Sequence, residues 1–184
     1  GNFILCFLIH QNMMAQKSAN IEIRIDGYSE GWCKMIGMYG DQNYIVDSFL
    51  MNKNGHVVLK NDSLFAQGLY YILLPDLKNI SILVDENQKF VLMSKKETLV
   101  GSMKVIDHTC NELYYKSLVI QEKLDSVSQL IKKGNTSSEL KNQYDLFSQQ
   151  KIIQLSEIKI THPFNFFTIF KTSGQNPVFI EVKK

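Results

Sequence analysis

The stretch Gly68–Ser94, GLYYILLPDLKNISILVDENQKFVLMS, limits what this chain can fold into more than any other part of it. Three β-rich runs, Leu69–Leu74, Ile80–Val84 and Lys89–Ser94, are parted by the polar turns Pro75–Asn79 and Asp85–Gln88. Runs so short and so closely spaced predict an antiparallel meander. Upstream, IEIRIDG alternates apolar Ile21, Ile23 and Ile25 with polar Glu22, Arg24 and Asp26, the period of two of a half-buried strand. Gly27–Gly31 turns the chain, and Trp32–Tyr39 and Asn43–Met51 then form a hairpin around Gly40–Gln42. Asn52–Gly55 is a second turn, and His56–Lys60 another strand. About seven strands at this spacing predict a β-sandwich or partly open barrel over residues 20–94.

The pattern changes after Ser94. Lys95–Asn111 is transitional, and from there Leu113, Ser117, Ile120, Leu124, Val127 and Ile131 recur at helical spacing. Asn111 is the expected N-cap and Lys132–Gly134 the expected end. A second helix runs from Ser137 or Ser138 to about Ile160, with Leu140, Tyr144, Phe147, Leu155 and Ile158 as its apolar face, and His162-Pro163 stops it. Phe164–Lys171 reads as a short third helix, and residues 173–184 as an extended tail. The class is therefore α+β: an antiparallel β-sandwich or partly open barrel followed by an α-helical hairpin. Residues 95–172 form the helical segment, packed on or beside the strands.

At the N-terminus, the uncharged run Phe3–Ile9 precedes small residues at Ala15 and Ala19. Seven apolar residues are too few to span a bilayer, which needs roughly 20. Residues 1–19 are read as the remnant of a secretory signal peptide, cleaved after Ala15, with a buried first strand as the alternative. Ile4 and Leu5 are too bulky for the positions before a lipoprotein cysteine at Cys6. A mature exported chain keeps Cys33 and Cys110, either as one disulfide or as two unpaired thiols.

Charge and motifs exclude several chemistries. A net charge of +2 and a single arginine, Arg24, give no electrostatic case for nucleic acid. There is no C-x-x-C, H-E-x-x-H, G-x-S-x-G, P-loop or D-x-D-x-D-G loop. No catalytic residue, metal or cofactor is expected. His108 and Cys110 beside Asp107 are read as a solvated connection next to a half-buried cysteine, rather than as a metal site or a nucleophile–base pair. Trp32, Tyr39, Tyr44 and Tyr70 are the candidate ligand or partner surface, weighed against ordinary cross-strand packing.

Several motifs occur in a recognisable order: a strand ending at Tyr44–Asp47, then Asn54-Gly55-His56-Val57, Gly68-Leu69-Tyr70-Tyr71-Ile72 and Val84-Asp85 with Phe90. A helix carrying Asn111, Leu113 and Tyr115 and the His162-Pro163 turn follow. From Ile21 to Phe170 the chain resembles the N-terminal β-rich domain of unknown function that precedes the thioredoxin-like domain in exported TlpA-like thiol:disulfide oxidoreductases of the Bacteroidetes. It departs from that pattern at Asp107-His108, where relatives tend to have Gly-Ser. The resemblance implies a non-catalytic accessory domain in the periplasm or cell envelope, lacking the C-x-x-C domain, with residues 173–184 as the linker to it. Its implied partners are its own C-terminal thioredoxin-like domain and a protein client. Cys33 and Cys110 match no redox motif and inherit no role. The alternative is a stand-alone extracytoplasmic binding protein for a glycan or peptide. The mature chain has no expected transmembrane segment, and the sequence does not fix its oligomeric state.

Overall fold

A computed structural model describes residues 18–39 and 42–173. The expected leader, apart from its last two residues, the Gly40-Asp41 turn and nearly all of the expected tail lie outside the described residues. Eight strands precede three helices: β1 (Ala19–Asp26), β2 (Gly31–Tyr39), β3 (Gln42–Met51), β4 (His56–Asn61), β5 (Gly68–Leu73), β6 (Asn79–Val84), β7 (Lys89–Lys95), β8 (Lys104–Ile106), α1 (Thr109–Lys132), α2 (Ser138–Thr161) and α3 (Phe166–Thr172). The fold is α+β, a partly open β-sandwich of two four-stranded sheets, ordered β4-β1-β7-β8 and β3-β2-β5-β6.

The core is what the alternating pattern requires. Ile21, Ile23 and Ile25 of β1, Val57 and Leu59 of β4 and Leu92 of β7 are buried with Cys33, Met35, Tyr70, Ile72 and Ile82 of the other sheet. Burying a side chain of this size stabilises the fold by roughly 1.5–3 kcal/mol. In β1 the alternation is complete, with every inward residue at 1% exposure or less.

The expected meander is corrected. β5 and β6 pair antiparallel, but β7 leaves β6 and joins the other sheet, parallel to β1 with Ile21 opposite Phe90 and Ile23 opposite Leu92. Buried Gln88 holds the crossing. Its side-chain oxygen accepts from the Phe65 amide at 2.8 Å, and its Nε2 donates to the carbonyls of Phe65 (2.9 Å) and Asp85 (3.0 Å). Its own carbonyl accepts from the Asn20 amide at 2.8 Å. β8, where no strand is expected, supplies β7 with a second neighbour through the pairs Val91–Ile106, Leu92–Val105 and Met93–Lys104. Three residues are too few to carry a readable period.

The helices begin and end close to expectation, with one correction. α1 is capped by His108 and not by Asn111, which sits one turn in and is fully buried. Ser137 caps α2 by accepting from the Leu140 amide at 3.3 Å, and Asn165 caps α3 by accepting from the Phe167 amide at 2.9 Å. α1 packs along β6, the edge strand of its sheet. The Asn111 side chain pairs with the Leu83 backbone, and the Tyr115 hydroxyl donates to the Ser81 carbonyl at 2.9 Å. Alternate strand residues are about 6.6–6.8 Å apart and i,i+4 helix residues about 6 Å, so two helix side chains can cover two successive edge positions.

Candidate functional site

Cys33 lies in β2 with its side chain in the core, and Cys110 lies in the first turn of α1; both are free and buried. Burial pushes the Cys33 thiol up to about 11, and burial, followed by the nearby Asp85 carboxylate, pushes Cys110 up further. Nucleophilic and redox chemistry runs through the thiolate, which both environments disfavour. The described residues contain no catalytic cysteine pair and no group of His, Cys, Asp and Glu able to hold a metal ion.

The connection is solvated at Asp107 and Thr109, but the His108 side chain and Cys110 are buried, a correction to the sequence expectation for those two residues. His108 stacks on Phe90 with ring centroids 4.0 Å apart, and its Nε2 lies 2.9 Å from Asp85 Oδ1. Its Nδ1 accepts from the Asn111 amide (3.2 Å) and faces Asn111 Nδ2 (2.8 Å). Two donors on Nδ1 assign the tautomer with the proton on Nε2, donated to Asp85. Both ring nitrogens are thus engaged in holding the β6–β7 turn to the start of α1, and neither is left for a substrate. Asp107 adopts φ 61, and its carbonyl accepts from Asn87 Nδ2 at 2.8 Å.

The four aromatic candidates do not share one surface. Tyr70 is 1% exposed, and its hydroxyl donates to the Ala66 carbonyl at 2.7 Å. Tyr44 and Tyr70 flank Gly37 in register, on the same side of the sheet. The Tyr44 ring lies across Gly37, where a side-chain carbon would come within 2.6 Å of its hydroxyl oxygen. Trp32 is 62% exposed on the opposite side, beside its cross-strand neighbour Leu50, which is also exposed. For Tyr39 only the backbone, paired with Gln42, is described. An aromatic in a strand signals packing and exposure equally, so residue type alone does not separate Trp32 from Tyr70.

Among the described residues, the helical hairpin carries a run of exposed apolar side chains. The face of α2 toward α1 carries half-buried Phe147 and buried Ile158; Lys123 lies over the Phe147 ring, and Lys151 Nζ donates to Gln121 Oε1 at 2.6 Å. The outer face carries Leu146, Ile152, Ile153 and Ile160, all exposed, and beyond it come Phe164 at 90% and Ile169. None of these outer residues was singled out as a candidate from sequence. The signal was present in the seven-residue recurrence Leu146, Ile153, Ile160, outside the face expected to pack on α1.

In comparisons with known proteins, no family model, no curated protein and no solved structure matches the chain. Among the described residues no helix is long and apolar enough to cross a membrane.

Proposed function

We propose that this chain is a non-catalytic interaction module of an exported protein, the accessory domain that accompanies a thioredoxin-like thiol:disulfide oxidoreductase domain. One observation carries the interaction role: a helical hairpin whose outer helix turns Leu146, Ile152, Ile153 and Ile160 to solvent. Contiguous apolar exposure of this kind marks surfaces that other protein covers. The buried, proton-retaining thiols support the non-catalytic part. The oxidoreductase context and the export rest on the resemblance and on the leader-like N-terminus.

Two measurements test it. The chain incubated with insulin and dithiothreitol is expected to add nothing to the uncatalysed reduction rate, and turnover would overturn the non-catalytic role. The coding frame read past Lys184 is expected to enter a domain with C-x-x-C; an immediate stop codon would remove the oxidoreductase context.

The alternative, a stand-alone binding protein for a glycan or peptide, is favoured by the exposed Trp32–Leu50 pair. Trp32 is the only tryptophan, so its fluorescence reports that surface alone. Saturable quenching by an oligosaccharide or peptide would put this alternative first.

A further inference from the structure

We infer that the outer face of α2 is where two copies of this chain pair, antiparallel, about a two-fold axis passing beside Ile153. This gives a partner to the surface on which the interaction role rests. Leu146, Ile153 and Ile160 recur every seven residues, so they fall within about 40° of arc and form a straight stripe about 21 Å long. That stripe points away from α1, because Phe147, Lys151 and Ile158 occupy the facing side. A continuous apolar stripe of constant width on a projecting helix fits another helix better than it fits a small ligand.

The order of residues along α2 makes it complementary to itself in one direction only. With Ile153 beside the axis, Leu146 of one copy lies against Ile160 of the other, and Ile152 against its own counterpart. One flank of the stripe carries Asp145 near its start and Lys159 near its end. The two-fold sets each Asp145 close to the other copy's Lys159, on both sides of the axis. Neither residue has an ion-pair partner among the described residues. On the other flank Gln150 meets Glu157 of the second copy, an amide donor facing a carboxylate. A parallel pairing would bring opposite flanks together, setting apolar Ile152 against Glu157 of the second copy and separating Asp145 from Lys159, which disfavours it. Isologous pairing of this kind is the commonest form of protein self-association.

With four apolar side chains per copy, the dimer is expected to dissociate on the order of 10 μM. Sedimentation velocity on the whole chain across that range tests it. Wild type is expected to move from monomer to dimer, while Ile153→Lys and Ile160→Glu stay monomeric with unchanged circular dichroism, since both side chains are exposed. Asp145→Lys places like charges together and weakens the dimer several-fold, and Asp145→Lys/Lys159→Asp restores it. A wild type that stays monomeric at about 100 μM, tenfold above that constant, would overturn the proposal. So would an Ile153→Lys variant that still dimerises, or a double charge reversal that fails to recover. A monomeric wild type inert toward insulin removes the dimer and leaves the accessory role standing. Insulin turnover removes that role without bearing on self-association.

Discussion

Asn111 and Leu83 form a closed pair: the Leu83 amide donates to Asn111 Oδ1 at 2.8 Å, and Asn111 Nδ2 donates to the Leu83 carbonyl at 2.8 Å. A helix side chain therefore takes the place of a neighbouring strand at the open edge of β6. Gln88 does the same for Phe65 at the β6–β7 crossing. Both residues are 1% exposed or less. In each case a carboxamide offers a donor and an acceptor on two separate atoms, Nδ2 and Oδ1 or Nε2 and Oε1, to the same backbone unit.

Replacing Asn111 by Ala leaves the Leu83 amide and carbonyl buried without partners. Each orphaned group costs roughly 1–3 kcal/mol, so the expected loss for the two is about 2–6 kcal/mol in urea unfolding. Tyr115→Phe removes a single bond to the Ser81 carbonyl and should cost about 1 kcal/mol. Equal losses for the two variants would mean that the paired amide has no special weight.

Gly55 and Gly134 both sit at positive φ, at 70° and 91°, but in different surroundings. A side-chain carbon on Gly55 would meet the Ile25 carbonyl oxygen, while at Gly134 it would meet open space. Gly55→Ala should therefore combine left-handed strain with a backbone clash and lose at least about 2 kcal/mol, against about 1 kcal/mol for Gly134→Ala. Thermal melts of both variants check the order, and a Gly134→Ala loss equal to that of Gly55→Ala would contradict it. The Gly55 carbonyl also accepts from the Ile25 amide at 2.9 Å, so the clash falls on a hydrogen-bonded corner between β1 and β4.

The raised Cys33 thiol predicts a pH dependence. In the unfolded chain the thiol loses its proton near its ordinary value of 9.0, whereas the folded protein keeps it until about 11. The stability tied to this group is fully present below 9 and is lost as pH rises from 9 toward 11. Buried Tyr70 and Tyr115, both raised by burial, add slope of the same sign. Cys33→Ala removes only the cysteine part. The stability gap between wild type and Cys33→Ala, measured in urea at pH 8 and pH 10, should narrow at the higher pH. A constant gap would show that the Cys33 thiol titrates alike in both states.

Seven of the eight strands and all three helices stand where the sequence puts them. Periodicity and turn residues are local signals: Ile21, Ile23 and Ile25 declare a half-buried strand whatever they finally pack against, and Ser137 and Pro163 bound α2 by their own backbone chemistry. The sequence also marked Asn111 and His108, but with the wrong roles. Only the tertiary structure decided that β7 crosses to lie parallel to β1, that Asn111 serves a strand edge and not a helix end, and that Tyr70 is buried while Trp32 is exposed. Those outcomes depend on contacts between residues far apart in the chain, as Phe65 is from Gln88 and Leu83 from Asn111. A residue's type states which hydrogen bonds and how much apolar surface it must satisfy; the fold determines which partner satisfies them.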